Sequence, residues 1–198
     1  MRKALKDYID SPLRYNKNGD LMYNNMSIMN NFELPLINYI AESIVSKNDK
    51  VLNVGYGLGF FDKKVQDIGV SSHTIIECHP DVVKTIKLDN VELYSSIWQS
   101  IIPKLVEDKR VFDCIFFDTY MFNKECLKDE WFKFIELSKP LIADNGKICM
   151  FNWFKDEVDI TNELKNRMSE FTLIEENFNL DNSMCNLTYK HLYWRKGR

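Results

Sequence analysis

The chain has 198 residues, 45 % of them hydrophobic and 28 % charged, with a formal net charge of −3. That is enough chain for one domain with a sizeable core, and the slight negative balance argues against a nucleic-acid partner, which normally requires a basic face. The opening MRKALKDYIDSPLRYNKNGD has no apolar h-region, and no run approaches the roughly eighteen apolar residues of a membrane span. Neither a secretory signal nor a membrane partner is expected, and the cytoplasm is the expected location. Cys78, Cys114, Cys126, Cys149 and Cys185 are widely spaced and form no CxxC pair, so neither a metal site nor a disulfide framework is expected.

Residues 1–32 are polar with interspersed aromatics, and two readings stay open for them: a lid over the site or a mobile tail. The core of a single domain is expected over 33–198. ELPLINYIAESIV repeats its apolar residues at helical spacing and stops at the polar turn SKNDK. KVLNVGYG reads as a strand ending in a glycine turn, FFDKKVQDIG as a helix closed by Gly69, and HTIIECHP as a strand before a helix starting near Asp81. VELYSS is a strand and IWQSIIPKLVED a helix. VFDCIFFDTY is almost continuously apolar, as a strand buried on both faces should be. EWFKFIELSKPLI is a helix, ADNG a turn, KICMFNWF a strand and VDITNELKNRMSE a helix; FTLIEENFNL and LTYKHLYWRK close the chain as two strands. The alternation predicts an α/β, doubly wound, mostly parallel sheet of about seven strands with helices on both faces and an antiparallel C-terminal strand. A ligand then belongs at the carboxyl ends of the strands, near the point where strand order reverses.

Three of those strand ends carry chemistry. In NVGYGLG, Gly55 and Gly57 allow a tight turn and close approach of backbone to a ligand, but Phe60 stands where the dinucleotide fingerprint needs a glycine. Glu77 ends the next strand, 22 residues beyond Gly55, where a carboxylate accepts hydrogen bonds from both ribose hydroxyls. Asp118 ends a wholly apolar strand, a costly place for a charge without a partner. The set resembles the S-adenosylmethionine (SAM) site of Rossmann-like class I methyltransferases.

The detail goes further. VLNVGYGLGFFDKKVQD, IIECHPDV, IWQSIIPKL, FDCIFFDTY and FKFIELSKPLIADNGKICMFN, preceded by IMNNFELPLI, together resemble guanidinoacetate N-methyltransferase and its arginine-methylating relatives, over about residues 28–154. The resemblance implies that SAM is the cofactor and S-adenosylhomocysteine (SAH) the product. It implies that Met29 and Ile37 line the cofactor pocket and that Gly55, Tyr56, Gly57, Leu58, Gly59 and Phe60 wrap the methionine and sugar. Glu77 would bind the ribose, Cys78 and His79 would lie beside the adenine, and Trp98 and Gln99 near it. Glu33 and Asp118 would hold a substrate guanidinium, with Asp118 also at the cofactor, and Trp153 and Phe154 would meet the substrate carboxylate.

The implied chemistry is coherent. A guanidinium stays protonated, with a pKa above about 12, and has no lone pair free for attack. Substrate and cofactor are both cations, so a dry pocket opposes bringing them together. Two carboxylates offset the repulsion with charge-assisted hydrogen bonds, and one can take the proton as the nitrogen attacks. Asp118 is the expected base and Glu33 the residue that fixes the guanidinium plane; no metal is needed.

Some positions depart from the pattern. Asn53 replaces an acidic residue, which weakens the expected contact with the cofactor's amino group; Phe32 replaces tryptophan, Gln99 replaces glutamate, and the NWFKDE loop is short. His73, His79 and His191 are expected at surface or adenine-side positions. The reading is a SAM-dependent N-methyltransferase of a small guanidino molecule such as guanidinoacetate or arginine. The alternatives are a protein-arginine N-methyltransferase and a SAM-binding protein of the same fold without catalysis. Oligomeric state is not readable.

Overall fold

The computed structural model describes residues 3–120, 124–151, 158–182 and 185–197. The chain begins with helix α1 (Lys3–Asp10) and a small antiparallel sheet of β1 (Arg14–Tyr15), β2 (Leu21–Tyr23) and β3 (Met26–Met29). A 3-10 turn (Asn31–Glu33) leads into α2 (Leu34–Ile44), where Pro35 occupies the first turn, in which its missing N–H costs nothing. Asn30 is the N-cap of that 3-10 turn.

The main body alternates as the sequence predicts: β4 (Lys50–Val54), α3 (Phe60–Ile68), β5 (Ser72–Glu77), α4 (Pro80–Val83), β6 (Val91–Ser95), α5 (Trp98–Glu107), β7 (Phe112–Phe117), α6 (Lys124–Ser138), β8 (Ile142–Met150), α7 (Val158–Arg167), β9 (Phe171–Asn182) and β10 (Cys185–Lys196). The seven-stranded sheet runs β6-β5-β4-β7-β8-β10-β9. Strands β4 to β8 are mutually parallel, and β10 lies antiparallel to both β8 and β9. Strand order reverses between β4 and β7, so the crevice at their carboxyl ends is the natural ligand position.

Both faces of the sheet are covered, and side-chain alternation divides the core. Leu52, Val54, Ile115 and Phe117 pack on one face against α5 and α6. Val51, Ile75, Cys114 and Phe116 pack on the other against α2 and α3. Among the described residues no helix is long and apolar enough to cross a membrane.

Several boundaries differ from the sequence reading. The helix after His79 lasts only from Pro80 to Val83, and α6 starts at Lys124 rather than near Glu130. The ADNG segment is not a turn between elements but an irregularity inside β8. Ile142 pairs with Phe112 and Lys147 with Cys114, so the stretch between them bulges, with Asn145 at φ 63°. Residues 3–29 form a helix and a sheet that the strand lengths of two to four residues left unreadable.

Candidate active site

At the reversal point lies a cavity of about 410 Å³, within the size range of small-molecule sites. The loop after β4 forms its floor. Gly55 and Gly57 take φ of 96° and 55°, in the left-handed region that glycine enters without penalty. A side chain at Gly55 would drive its Cβ into the carbonyl oxygen of Asp118, and one at Gly57 into the Met29 sulfur. The glycines are therefore required by two neighbours as well as by the backbone.

Glu77, at the end of β5, faces the same cavity with a buried carboxyl. Its Oε2 accepts from the Tyr56 N–H (2.8 Å) and its Oε1 from the His79 N–H (2.7 Å). Each oxygen retains a lone pair for a further donor. Burial outweighs those backbone bonds and pushes its pKa up. Cys78 also lines the cavity, and burial next to Glu77 pushes its thiol to about 12.

Asp118 follows β7, with its backbone N–H on the Val54 carbonyl (2.9 Å). Its carboxyl reaches the cavity with a pKa raised to about 8. Burial is the main cause, followed by the negative charges of Glu33, Asp62 and Glu77. Glu33 is 3 % exposed, and its Oε1 accepts from the backbone N–H (3.0 Å) and side-chain amide (2.7 Å) of Asn30. The 3-10 turn before α2 thus buries a carboxylate near enough for its charge to raise the Asp118 pKa, although Glu33 is not among the residues that line the cavity.

Met29, Gly55, Gly57, Glu77, Cys78, Trp98, Gln99 and Asp118 meet in this cavity. Trp98 packs edge-on against Phe117 (5.7 Å between ring centroids), and the Gln99 amide donates to Glu130 (2.8 Å). Tyr56, Leu58 and Phe60 face a second hollow on the outer side of the loop; Gly59 caps α3. Ile37 is 1 % exposed in the core under α2. Trp153 and Phe154 lie outside the described residues. His79 turns away from the cavity: Nε2 donates to the carbonyls of Tyr8 (3.1 Å) and Ser11 (2.9 Å), while Nδ1 accepts from the Asp81 N–H (3.1 Å). It therefore ties α1 to the body. His73 and His191 are buried as well, so none of the three histidines is on the surface.

The sequence reading left the N-terminal segment open between a lid and a tail and singled out none of its residues before Met29. Ala4, Leu5, Tyr8, Leu21 and Ile28 complete the cavity wall. Tyr8 sits among Tyr23 and Tyr120, with ring centroids 5.2 and 5.6 Å away. The available signal was the helical spacing of Ala4, Leu5, Tyr8 and Ile9 within a polar stretch.

These residues suit SAM. The paired oxygens of Glu77 match a ribose diol, Gly55 and Gly57 leave room for a chain against the backbone, and Ile97 and Trp98 supply an apolar wall for a flat base. Comparison with known proteins agrees. The profile of the guanidinoacetate N-methyltransferase family matches residues 4–182. Protein arginine N-methyltransferase 2 of Aspergillus fumigatus is 28 % identical over 181 residues, 88 % of this chain and 42 % of that protein. The chain spans under half the length of curated relatives that it matches. Among solved structures, a methyltransferase from Pyrococcus furiosus superposes with a TM-score of 0.65 at 14 % identity, covering 99 % of this chain and 94 % of that one. The methyltransferase SMU.776, solved in complex with SAH, superposes with a TM-score of 0.64 at 12 % identity, covering 93 % and 56 %. These likenesses establish the Rossmann-like methyltransferase fold, and the profile match over most of the chain establishes the rest: the protein belongs to the guanidinoacetate N-methyltransferase family of SAM-dependent methyltransferases.

Proposed function

We propose that the protein transfers a methyl group to a guanidino nitrogen, with Asp118 as the base and Glu33 as the residue that orients the guanidinium. The observation that carries this is the Asp118 carboxyl at the cavity, held near pKa 8 by burial and by its acidic neighbours, Glu33 foremost among them. Such an arrangement is costly when empty and is relieved by a planar cation with several N–H donors.

SAM supplies a methyl group on a positively charged sulfur. On transfer to the guanidino nitrogen the sulfur would keep the electron pair of its bond to that methyl, and the Asp118 carboxylate would take the proton that the nitrogen releases. Glu33 keeps the guanidinium plane fixed, so that transfer depends mainly on positioning, with reacting atoms roughly 3–3.5 Å apart. Glu77 and the Gly55–Gly57 loop hold the cofactor. Residues 3–29 supply the wall that excludes water from it.

A small guanidino metabolite is the first reading of the substrate, in keeping with the matched family. The relatives named protein arginine N-methyltransferase 2 favour a second, an arginine side chain of a protein. Homocysteine-coupled turnover, with mass spectrometry of products, decides between them when guanidinoacetate, arginine, agmatine, guanidinobutyrate and an arginine-rich peptide are offered. A methylated small molecule supports the first reading and a methylated peptide alone the second. Methylation of a non-guanidino substrate only would overturn the paired-acid argument.

A further inference from the structure

Behind the glycine loop lies a fully buried polar cluster that does not line the cavity and whose hydrogen bonds have no part in the methyl transfer proposed above. Asn53 on β4, Asp62 on α3 and His73 on β5 are each at most 2 % exposed. Asp62 accepts from the Asn53 amide at both oxygens (2.9 and 2.8 Å) and from His73 Nε2 (2.9 Å). The Gln66 amide lies 2.8 Å from His73 Nδ1 and donates to it, which leaves the proton on Nε2, facing Asp62. The Asn53 amide has a second hydrogen, and the Gly55 carbonyl accepts it (2.9 Å). Asn53 Oδ1 has no partner among the described residues. Turning the amide over would point that oxygen at the Asp62 carboxylate, so the orientation is dictated by charge.

The Gly55 carbonyl belongs to the same peptide plane as the Tyr56 N–H, and that N–H donates to Glu77. One rigid plane is therefore gripped at its oxygen by Asn53 and at its N–H by Glu77. We propose that Asp62 and His73 are positioning residues for the cofactor site: they fix the Asn53 amide, which fixes the Gly55–Tyr56 peptide, which aims the Glu77 carboxylate. Gly55, at φ 96°, has no side chain of its own to resist a flip of this plane. Both hydrogens of the Asn53 amide are engaged, one by the Asp62 carboxylate and one by the Gly55 carbonyl, while its Oδ1 finds no partner among the described residues, so the amide is held through its donors alone. The function Asn53 was expected to lack, a carboxylate at the loop, is supplied from α3 by Asp62 and reaches the site through the backbone.

The inference rests on the assignment of the cavity to SAM, and the test separates the two. SAH affinity is measured by calorimetry for wild type, Asp62→Ala, Glu77→Gln and the double variant. Exchange of the Tyr56 amide hydrogen is followed by NMR in cofactor-free protein. Asp62→Ala is expected to weaken SAH roughly ten-fold, the loss of about one charge-assisted hydrogen bond in effect. Glu77→Gln should then cost less on top of it than alone, because both act through one peptide. The Tyr56 amide should exchange at least about ten-fold faster in Asp62→Ala. Asp62→Asn and His73→Gln, which keep hydrogen-bonding shape, should recover part of both effects, and they carry the same test if Asp62→Ala does not fold. Ile44→Ala, a core truncation under α2, should lower the melting temperature without changing either readout. Additive costs with unchanged Tyr56 exchange would overturn the proposal. A wild-type protein that ignores SAH would overturn the cofactor assignment instead, and the exchange data would still decide the network.

Discussion

Replacing Asp118 by asparagine should make the protein more stable as the pH rises, while destroying its activity. In the folded chain this carboxyl titrates near 8, against 3.8 for an ordinary aspartate. Between those values the native state holds a proton that the unfolded chain has released. Stability therefore falls as pH rises from about 4 to about 8 and levels off above. At pH 7, some three pH units above the ordinary value, holding that proton costs the folded state roughly 4 kcal/mol at most. The effective dielectric around a protein group trims this upper bound to ~2–4 kcal/mol. The amide of Asp118→Asn has nothing to titrate and avoids the cost. For a chain of this length about 1 kcal/mol moves the melting temperature by roughly 2–4 °C. The variant should thus melt close to wild type at pH 4.5 and roughly 5–15 °C above it at pH 8. Differential scanning calorimetry across that range reads the gap directly. A gap of the same size at both ends would mean that Asp118 is an ordinary carboxylate, and the base assignment would lose its physical support. Turnover by the variant should fall by about 10²–10⁴-fold, as for loss of a general base, with SAH binding still measurable.

Glu77→Ala removes the acceptor for the Tyr56 and His79 amides as well as the proposed ribose contact. SAH affinity by calorimetry should fall at least about ten-fold, and unchanged affinity would remove Glu77 from the cofactor site. Gly55→Ala faces both a left-handed backbone and the Asp118 carbonyl, so a loss of about 2 kcal/mol or more in urea unfolding is expected; a neutral result would show that the loop adapts. His79→Ala frees the carbonyls of Tyr8 and Ser11, and limited proteolysis should cut between residues 11 and 20 faster than in wild type. Equal cutting rates would mean that other contacts hold α1. The Cys78 thiol, pushed to about 12, should react with iodoacetamide at pH 7.5 far more slowly than a free cysteine. Rapid alkylation would contradict its burial beside Glu77.

Much of this protein was readable in one dimension. Apolar runs such as CIFF, flanked by helical periodicities, marked the buried parallel strands, because a strand buried on both faces has to be apolar throughout; their order in the sheet came only from the structure. Glycines 55 and 57, Glu77 and Asp118 stood out because each sits at a strand end, where the fold brings distant segments together. Other features depended on partners far away in sequence. Short strands β1 to β3 are not stable alone and exist because they pack on the body. ADNG has the composition of a turn, yet tertiary pairing draws it into β8 as a bulge. His79 carries no sequence mark of its role, since the carbonyls it holds are backbone groups 68 and 71 residues away. Asn53 looked like a defect in the loop until Asp62 and His73 were seen beside it. Local pattern determines which segments become strands and helices, whereas which polar groups are buried together, and which of them face the cavity, is settled only when those segments pack.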